Sequence, residues 1–255
     1  MDNILVPYHL DERLPDLDVP VSVDNTITVD LPPGEPRGDA GWARLGLLYQ
    51  AIADAVDGAA SRGARPLVLS GDCTTAIGTV AGLQRAGLEP AVVWFDAHGD
   101  LQTMETTTSG YLGGMPLRIL VGYRPELVAD AVGLRVVPEE RSVLVGARDL
   151  DPPEVDYLAG AAMRRREVVD LSEEDLPDGP IYLHFDADVV DGVELPGLRY
   201  PAPNGPGLST VAAALHRVLA TGRVVAFGLC CTWFGGHGAA QRFRPHLDQA
   251  LTGWR

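Results

Sequence analysis

Five short apolar runs punctuate the chain, at 66–69, 91–95, 142–145, 181–185 and 224–229. Each is continuously apolar rather than alternating, the pattern of parallel strands covered on both faces. Between them the period changes. Trp42, Leu45, Leu48, Ile52 and Val56 recur at helical spacing through 40–60. Residues 74–85 do the same and run on to Gly87, a C-cap residue by type. Ser209 reads as the N-cap of a helix carrying Val211, Leu215, Val218 and Leu219 and closed by Gly222. Strands alternating with helices predict an α/β fold, three layers (α/β/α) around a mostly parallel, doubly wound sheet with right-handed crossovers. The Pro- and Gly-rich stretch 194–208 sits inside this alternation and reads as an ordered surface loop. No internal repeat stands out, and residues 1–255 are expected to form one domain.

Composition narrows the class. A chain of 255 residues is long enough for one such domain with a large core, and 46% apolar with 22% charged content is ordinary for a globular protein. The net charge of −15 argues against nucleic acid, which needs a basic patch. It leaves two readings open: a solvated acidic surface, or a field that gathers metal ions or a cationic substrate. Cys73, Cys230 and Cys231 are too few for a disulfide framework, and the adjacent pair would point in opposite directions on a strand. The N-terminal MDNILVPYHLDER lacks the basic and apolar segments of a secretory signal, and the apolar stretch 224–234 is too short for a bilayer. The expectation is a cytoplasmic protein with no membrane partner.

The candidate chemistry follows the strands. The first of these runs is followed by Ser70-Gly71-Asp72-Cys73, the second by Asp96-Ala97-His98-Gly99-Asp100, and the fourth by Asp186-Ala187-Asp188. In open α/β sheets ligands bind beyond the carboxyl ends of strands, so these segments should converge. Asp96, His98 and Asp100 are two apart and share a face in extended backbone, as do Asp186 and Asp188. Carboxylates gathered this closely around one imidazole repel one another unless cations intervene, and hard divalent metals with oxygen and imidazole ligands meet that need. Asp191 reads as a turn cap before Gly192. His9, His216, His237 and His246 read as surface or core residues, with His237 in its GGHG context the one to watch.

The blocks SGDCTT, DAHGD and HFDADVVDG resemble the ureohydrolase family of arginases and agmatinases, whose signatures are GGDHS, DAHxD and SxDxDxxDP. The resemblance runs from about Leu69 to Leu229. It implies an arginase-like sheet with two divalent metal ions, in that family manganese, and a small-molecule guanidino substrate cleaved by a metal-bridging hydroxide. Carried over by position, Asp96 and Asp186 match bridging ligands, His98 and Asp188 ligands of one metal, and Asp100 a ligand of the other that also orients the hydroxide. Cys73 stands where the family has a metal-binding His, and thiolate favours softer metals than manganese. TTTSGYLGGMPL resembles the substrate loop and keeps Ser109, but Gly113 replaces its proton-shuttling His. GARDLDPPE resembles the block that contacts the substrate's amino end or supports those contacts, placing Asp149, Asp151 and Glu154 there, with turn-capping by Asp149 and Asp151 the other reading. His184 replaces a Ser, and Cys231 or Thr232 stands where a guanidinium-binding Glu is expected.

The resemblance therefore implies hydrolysis of an arginine-like or N-hydroxyarginine-like guanidine to urea or hydroxyurea plus an amine, with Asp100 and His184 as candidate catalytic groups. His184 precedes Asp186 by two and is expected to point the same way. The Cys73, Gly113 and 231–232 departures favour a guanidine of lower basicity, as in the Cys-containing ureohydrolases of specialised metabolism, such as that of D-cycloserine biosynthesis. An agmatinase-type enzyme acting on a guanidino natural product is the next reading, and an inactive metal-binding pseudoenzyme the rival from another class. Amide hydrolysis on the related deacetylase fold is the least favoured, because no tandem histidine pair is visible. Members of the family are often trimers or hexamers, so a homo-oligomer is compatible with the resemblance without any segment demanding one.

Overall fold

The computed structural model describes residues 1–254. Among the described residues there are ten strands and seven α-helices, which alternate for the most part from α1 onward. The strands are β1 (Asp2–Val6), β2 (Tyr8–His9), β3 (Glu12–Arg13), β4 (Asn25–Thr26), β5 (Pro66–Ser70), β6 (Ala91–Phe95), β7 (Ser142–Val145), β8 (Arg164–Arg166), β9 (Ile181–Asp186) and β10 (Val224–Cys230). The helices are α1 (Gly38–Ser61), α2 (Thr75–Arg85), α3 (Pro116–Leu120), α4 (Ala129–Val132), α5 (Pro152–Gly160), α6 (Leu208–Ala220) and α7 (Ala239–Ala250). Eight strands form one sheet in the order β4-β1-β5-β10-β9-β6-β7-β8, and every pairing in it is parallel. β2 and β3 form a separate antiparallel ribbon. No helix among the described residues is long and apolar enough to cross a membrane.

The strand alternation explains the three layers. Val68, Val92, Trp94, Leu144 and Tyr182 face one core, shared with α1 and α2. Leu67, Leu69, Val93, Phe95, Val143, Val145, Leu183 and Phe185 face the other, shared with α6 and α7. Both faces are dry, and so the central runs read as continuously apolar. α1 and α2 cross closely because α2 carries glycine at the contact: a Cβ on Gly78 would lie 2.5 Å from the Tyr49 carbonyl oxygen, and one on Gly82 2.6 Å from that of Ala53.

The five strands anticipated from sequence are present, three of them one residue longer at the carboxyl end, and it is these extra residues that lead into the site. One cap differs. Ser209 lies inside α6, whose N-cap is Gly207 without a side-chain bond, and the Leu208 amide donates instead to the Glu194 carboxylate at 2.6 Å. A carboxylate delivered by the 194–208 loop satisfies an orphan first-turn donor that a local serine does not reach.

The topology places the site. From β5 the chain skips two strand positions to β6, continues outward to β8, and returns to fill the gap with β9 and β10. The carboxyl ends of β5, β9 and β6 thus open on one crevice at the point where the strand order reverses.

Candidate metal centre

Two loops carry the clustered acidic groups, and each is held in shape by its own backbone. Asp96 Oδ1 accepts from the His98 amide at 2.7 Å, and Asp186 Oδ1 from the Asp188 amide at 2.9 Å. These local turns end β6 and β9 and aim the carboxylates across the crevice. Asp188 Oδ1 accepts from the Ala97 amide at 3.2 Å, joining the two loops. Asp100 sits at φ 53°, a left-handed conformation that Asp tolerates better than most residues, and its carbonyl accepts from the Arg118 amide. Outer partners complete the frame. Trp94 Nε1 donates to Asp96 Oδ2 at 3.1 Å, and the Thr232 hydroxyl donates to Asp186 Oδ1. The Arg148 guanidinium donates to the carbonyls of Asp188, Val189, Ala202 and Pro203, clamping the loop after β9 against the 194–208 loop.

The ligand-type atoms are close. His98 Nδ1 lies 3.1 Å from Asp188 Oδ2 and 3.5 Å from Asp96 Oδ1. The Cys73 thiol donates to Asp186 Oδ2 at 2.8 Å and lies 4.0 Å from Asp96 Oδ2. Cys73 with Asp96 and Asp100, and Asp96 with His98 and Asp188, form two groups able to hold a metal. Asp96, Asp100, Asp186 and Asp188 are all buried.

Their ionisation shows the strain. Burial, then the charges of Asp96 and Asp186, push the Asp100 carboxyl well above its usual range. Burial, then Asp188 and Asp96, do the same to Asp186, and Asp188 is raised to about 6 by burial and Asp96. His98 behaves oppositely. Burial pulls it down, but its contacts with Asp188 and Asp96 outweigh that and hold its proton up to about 12. The same contacts lower Asp96 in spite of its burial. A positive His98 is the counter-charge in direct contact with these carboxylates, with the Arg148 guanidinium bound only to backbone carbonyls behind them, and Asp100 Oδ2 is buried with no hydrogen-bond partner among the described residues. Like charges packed at this density call for cations, and the donor set of carboxylate oxygens and one imidazole fits hard divalent metals, with Cys73 as the one soft ligand.

The cluster floors a cavity of about 210 Å³. Asp72, Asp96, Asp100, Asp149, Asp151, Glu154, Asp186 and Asp188 line it, with no Lys or Arg among the described lining residues. Part of the acidic content read from composition thus lies where a cation would bind.

The remaining candidates divide. Asp149 is at the rim, its side chain 61% exposed and 3.9 Å from His98 Nε2. Asp151 and Glu154 also line the cavity but form a capping box that starts α5. Glu154 is fully engaged, accepting from the Leu101 and Asp151 amides, and thereby fixes the DAHGD loop. Thr232 lines the cavity, whereas Cys231 is packed into the opposite core. Ser109 is outside, beside a neighbouring surface depression, where its hydroxyl accepts from the Tyr111 amide. His184 is outside too. It keeps the strand face of Asp186 but is fully buried behind it, stacked on Trp94 with ring centroids 3.4 Å apart, and burial lowers its pKa to about 3. A histidine that sheds its proton so readily and does not reach the cavity is unsuited to protonate a leaving group.

Three cavity-side residues were not legible in the sequence. Tyr111 and Tyr200 form the opposite wall, and Tyr111 Oη lies 3.2 Å from His9 Nε2. A Cβ on Gly113 would fall 2.3 Å from Tyr111 Oη and Cζ, so the Tyr111 ring fills the space a side chain at 113 would take. His9 comes from the β2 ribbon, and in the sequence it reads only as a surface or core histidine far from any motif.

The model of the Arginase family matches residues 8–231, most of the chain. The chain belongs to the arginase family. Among curated relatives of this arginase-family chain, it is 34% identical to the arginase of Bacillus caldovelox over 189 residues, covering 66% of this chain and 62% of that protein. It is 36% identical to the arginase of Bacillus subtilis over 154 residues, covering 55% of this chain and 52% of that one. The matched region thus spans about half to three fifths of these relatives. The fold agrees over the full length: the B. caldovelox arginase structure superposes with a TM-score of 0.82 at 24% identity, covering 100% of this chain and 98% of the other. The agmatine ureohydrolase of Thermoplasma volcanium gives 0.67 at 15% identity, covering 99% and 88%. The ureohydrolase resemblance and the three-layer sheet expected from sequence are thereby both established.

Proposed function

We propose that this chain hydrolyses a C–N bond in the guanidino group of a small amino-acid-like molecule, releasing urea or a substituted urea and an amine. The observation that carries this is the crowded Asp96–His98–Asp100–Asp186–Asp188 cluster, with its unpartnered Asp100 oxygen, at the floor of an acidic cavity in an arginase-family fold. Asp96, His98, Asp100, Asp186 and Asp188, with Cys73, would hold two divalent ions, manganese being the type the resemblance implies. When bound, such ions supply a water acidic enough to act as a nucleophile near neutral pH.

The chain's own groups would do the rest. Asp100 Oδ2 accepts a hydrogen bond from the attacking water and orients it toward the guanidino carbon. Water's oxygen becomes the urea oxygen, the bond between the guanidino carbon and the substrate's alkyl-bearing nitrogen breaks, and the departing amine takes a proton. We assign that proton to Tyr111 Oη, whose acidity burial and the Asp72 charge hold well below that of a free phenol, so that it gives the proton up only as the departing nitrogen develops charge and recovers it from the attacking water. His9 Nδ1 lies 3.0 Å from the Gly71 carbonyl, which can only accept, so Nδ1 carries hydrogen and Nε2 accepts from Tyr111 Oη, positioning the phenol. The exposed Asp149 at the rim meets the substrate's ammonium group, while Asp151 and Glu154 hold the loop.

A guanidine of lower basicity, such as an N-hydroxyguanidine, fits better than a fully charged guanidinium. At 231 and 232 the cavity offers a threonine hydroxyl already donating to Asp186, not a free carboxylate to pair with the cation. The test is mass spectrometry of products after incubating manganese-loaded protein with arginine, Nω-hydroxyarginine, agmatine and guanidinobutyrate. Hydroxyurea and ornithine from Nω-hydroxyarginine, at higher kcat/KM than urea from arginine, is the expected result. A clear preference for arginine sinks the assignment of the less basic guanidine, and no product from any guanidine sinks the hydrolytic reading.

A further inference from the structure

Directly behind the acidic floor lies a second set of ligand atoms that the hydrolytic reading does not use. Cys73 Sγ, Cys230 Sγ and His184 Nε2 all lie within 4.8 Å of one another, and all three residues are buried. Cys230 Sγ is 3.7 Å from His184 Nε2. Around a tetrahedral zinc, with Zn–S of about 2.3 Å and Zn–N of about 2.0 Å, the S···N edge is about 3.5 Å. That edge therefore nearly matches the polyhedron before any ion enters, and Cys73 Sγ lies within 4.8 Å of both its ends. We propose that Cys73, Cys230 and His184 form a thiophilic metal site, selective for zinc-like ions, which shares Cys73 with the carboxylate centre and borders it at Asp186.

Three further observations support it. His184 is held for ligation: its Nδ1 lies 3.0 Å from the Tyr182 hydroxyl and its ring is stacked on Trp94. Fixing one ring nitrogen by an outer partner is what orients a metal-binding imidazole. Its Nε2 meets only a thiol, a weak partner for a buried nitrogen. Asp186 Oδ2, 2.8 Å from Cys73 Sγ, is the adjacent group for the fourth position. Two thiolates and an imidazole select zinc over manganese by softness, while the neighbouring oxygen-rich centre does the reverse. Because Cys73 belongs to both groups, an ion in the inner site withdraws the thiolate from the carboxylate centre, which is left with oxygen and imidazole donors.

The test does not depend on any hydrolytic activity. The full chain, stripped of metal, is loaded with one equivalent of Zn2+ and examined by X-ray absorption. The expected shell contains two sulfurs at about 2.3 Å. Cys230→Ser should reduce the sulfur count to one and weaken Zn2+ binding at least tenfold, while Mn2+ binding followed by electron paramagnetic resonance is unchanged. Cys231→Ser, at an equally buried cysteine facing the opposite core, should leave both sulfurs in place. A wild-type shell of oxygen and nitrogen alone overturns the proposal without any variant. A single sulfur that survives Cys230→Ser overturns it as well, because Cys73 is then acting only at the carboxylate centre. Failure of this test leaves the guanidine assay untouched, and the reverse also holds.

Discussion

Gly113→Ala tests whether Tyr111 occupies the place of the missing histidine. The added Cβ would lie 2.3 Å from Tyr111 Oη and Cζ and 2.4 Å from Cε1, all well inside van der Waals contact. The backbone at 113 is not in the left-handed region, so strain there comes from the ring alone. The ring must swing away, giving up its contact with His9 and its packing against Tyr200. Overpacking of this kind costs about 1–3 kcal/mol. At about 2–4 °C per kcal/mol for a chain of this size, Tm should fall by roughly 2–12 °C. The same displacement removes the assigned proton donor, and loss of general acid catalysis lowers kcat about 10²–10⁴-fold with little change in KM. Thermal melts of a double-mutant cycle separate the two parts. In a Tyr111→Ala background, where the ring is absent, Gly113→Ala should cost almost nothing. An equal Tm loss in both backgrounds would refute the steric argument, and a normal kcat for Tyr111→Phe would refute the proton-donor assignment even if the steric argument stands.

Asp186→Asn should raise the stability of metal-free protein, because it removes one of four crowded buried carboxylates, and abolish the gain in Tm on adding Mn2+. A metal-free variant less stable than its parent would show that repulsion is not what the cluster stores. In the parent, Mn2+ at about 100 times its Kd should add about 2.7 kcal/mol, with chelator reversing it, and a Tm indifferent to metal would count against the centre. Gly78→Ala should destabilise by about 1–3 kcal/mol or more in denaturant melts, since its Cβ would sit 2.5 Å from the Tyr49 carbonyl, a backbone atom with little freedom to move. Glu194→Ala should lose about 0.5–2 kcal/mol through the uncapped start of α6, and an unchanged midpoint would show that solvent caps the helix as well.

The sequence by itself determined the central strands, the main helices and the acidic centre. The inner strands are buried on both faces and so carry continuous apolar runs, and the metal-type residues cluster within two or three positions of the strand ends, where local turns fix their direction. Elements with mixed or polar composition were not legible. β8 is three arginines at the sheet edge, β1 begins Asp-Asn, and α7 carries Pro245 with a narrow stripe of Phe243 and Leu247 on a polar helix. Only the tertiary structure could decide the roles that depend on contacts between distant segments. Residue parity put His184 on the face of Asp186, but depth along the strand, which parity does not encode, left it behind the floor against Trp94. Gly113 read as a lost side chain, yet the space is filled by Tyr111, two residues earlier, with His9 from 102 positions away behind it. Glu154 resembled a substrate contact or a support for one, and which of these its two oxygens serve depends on the Leu101 and Asp151 amides that they accept from. Pairings across such separations are set by how the layers pack, and no local pattern in the chain records them.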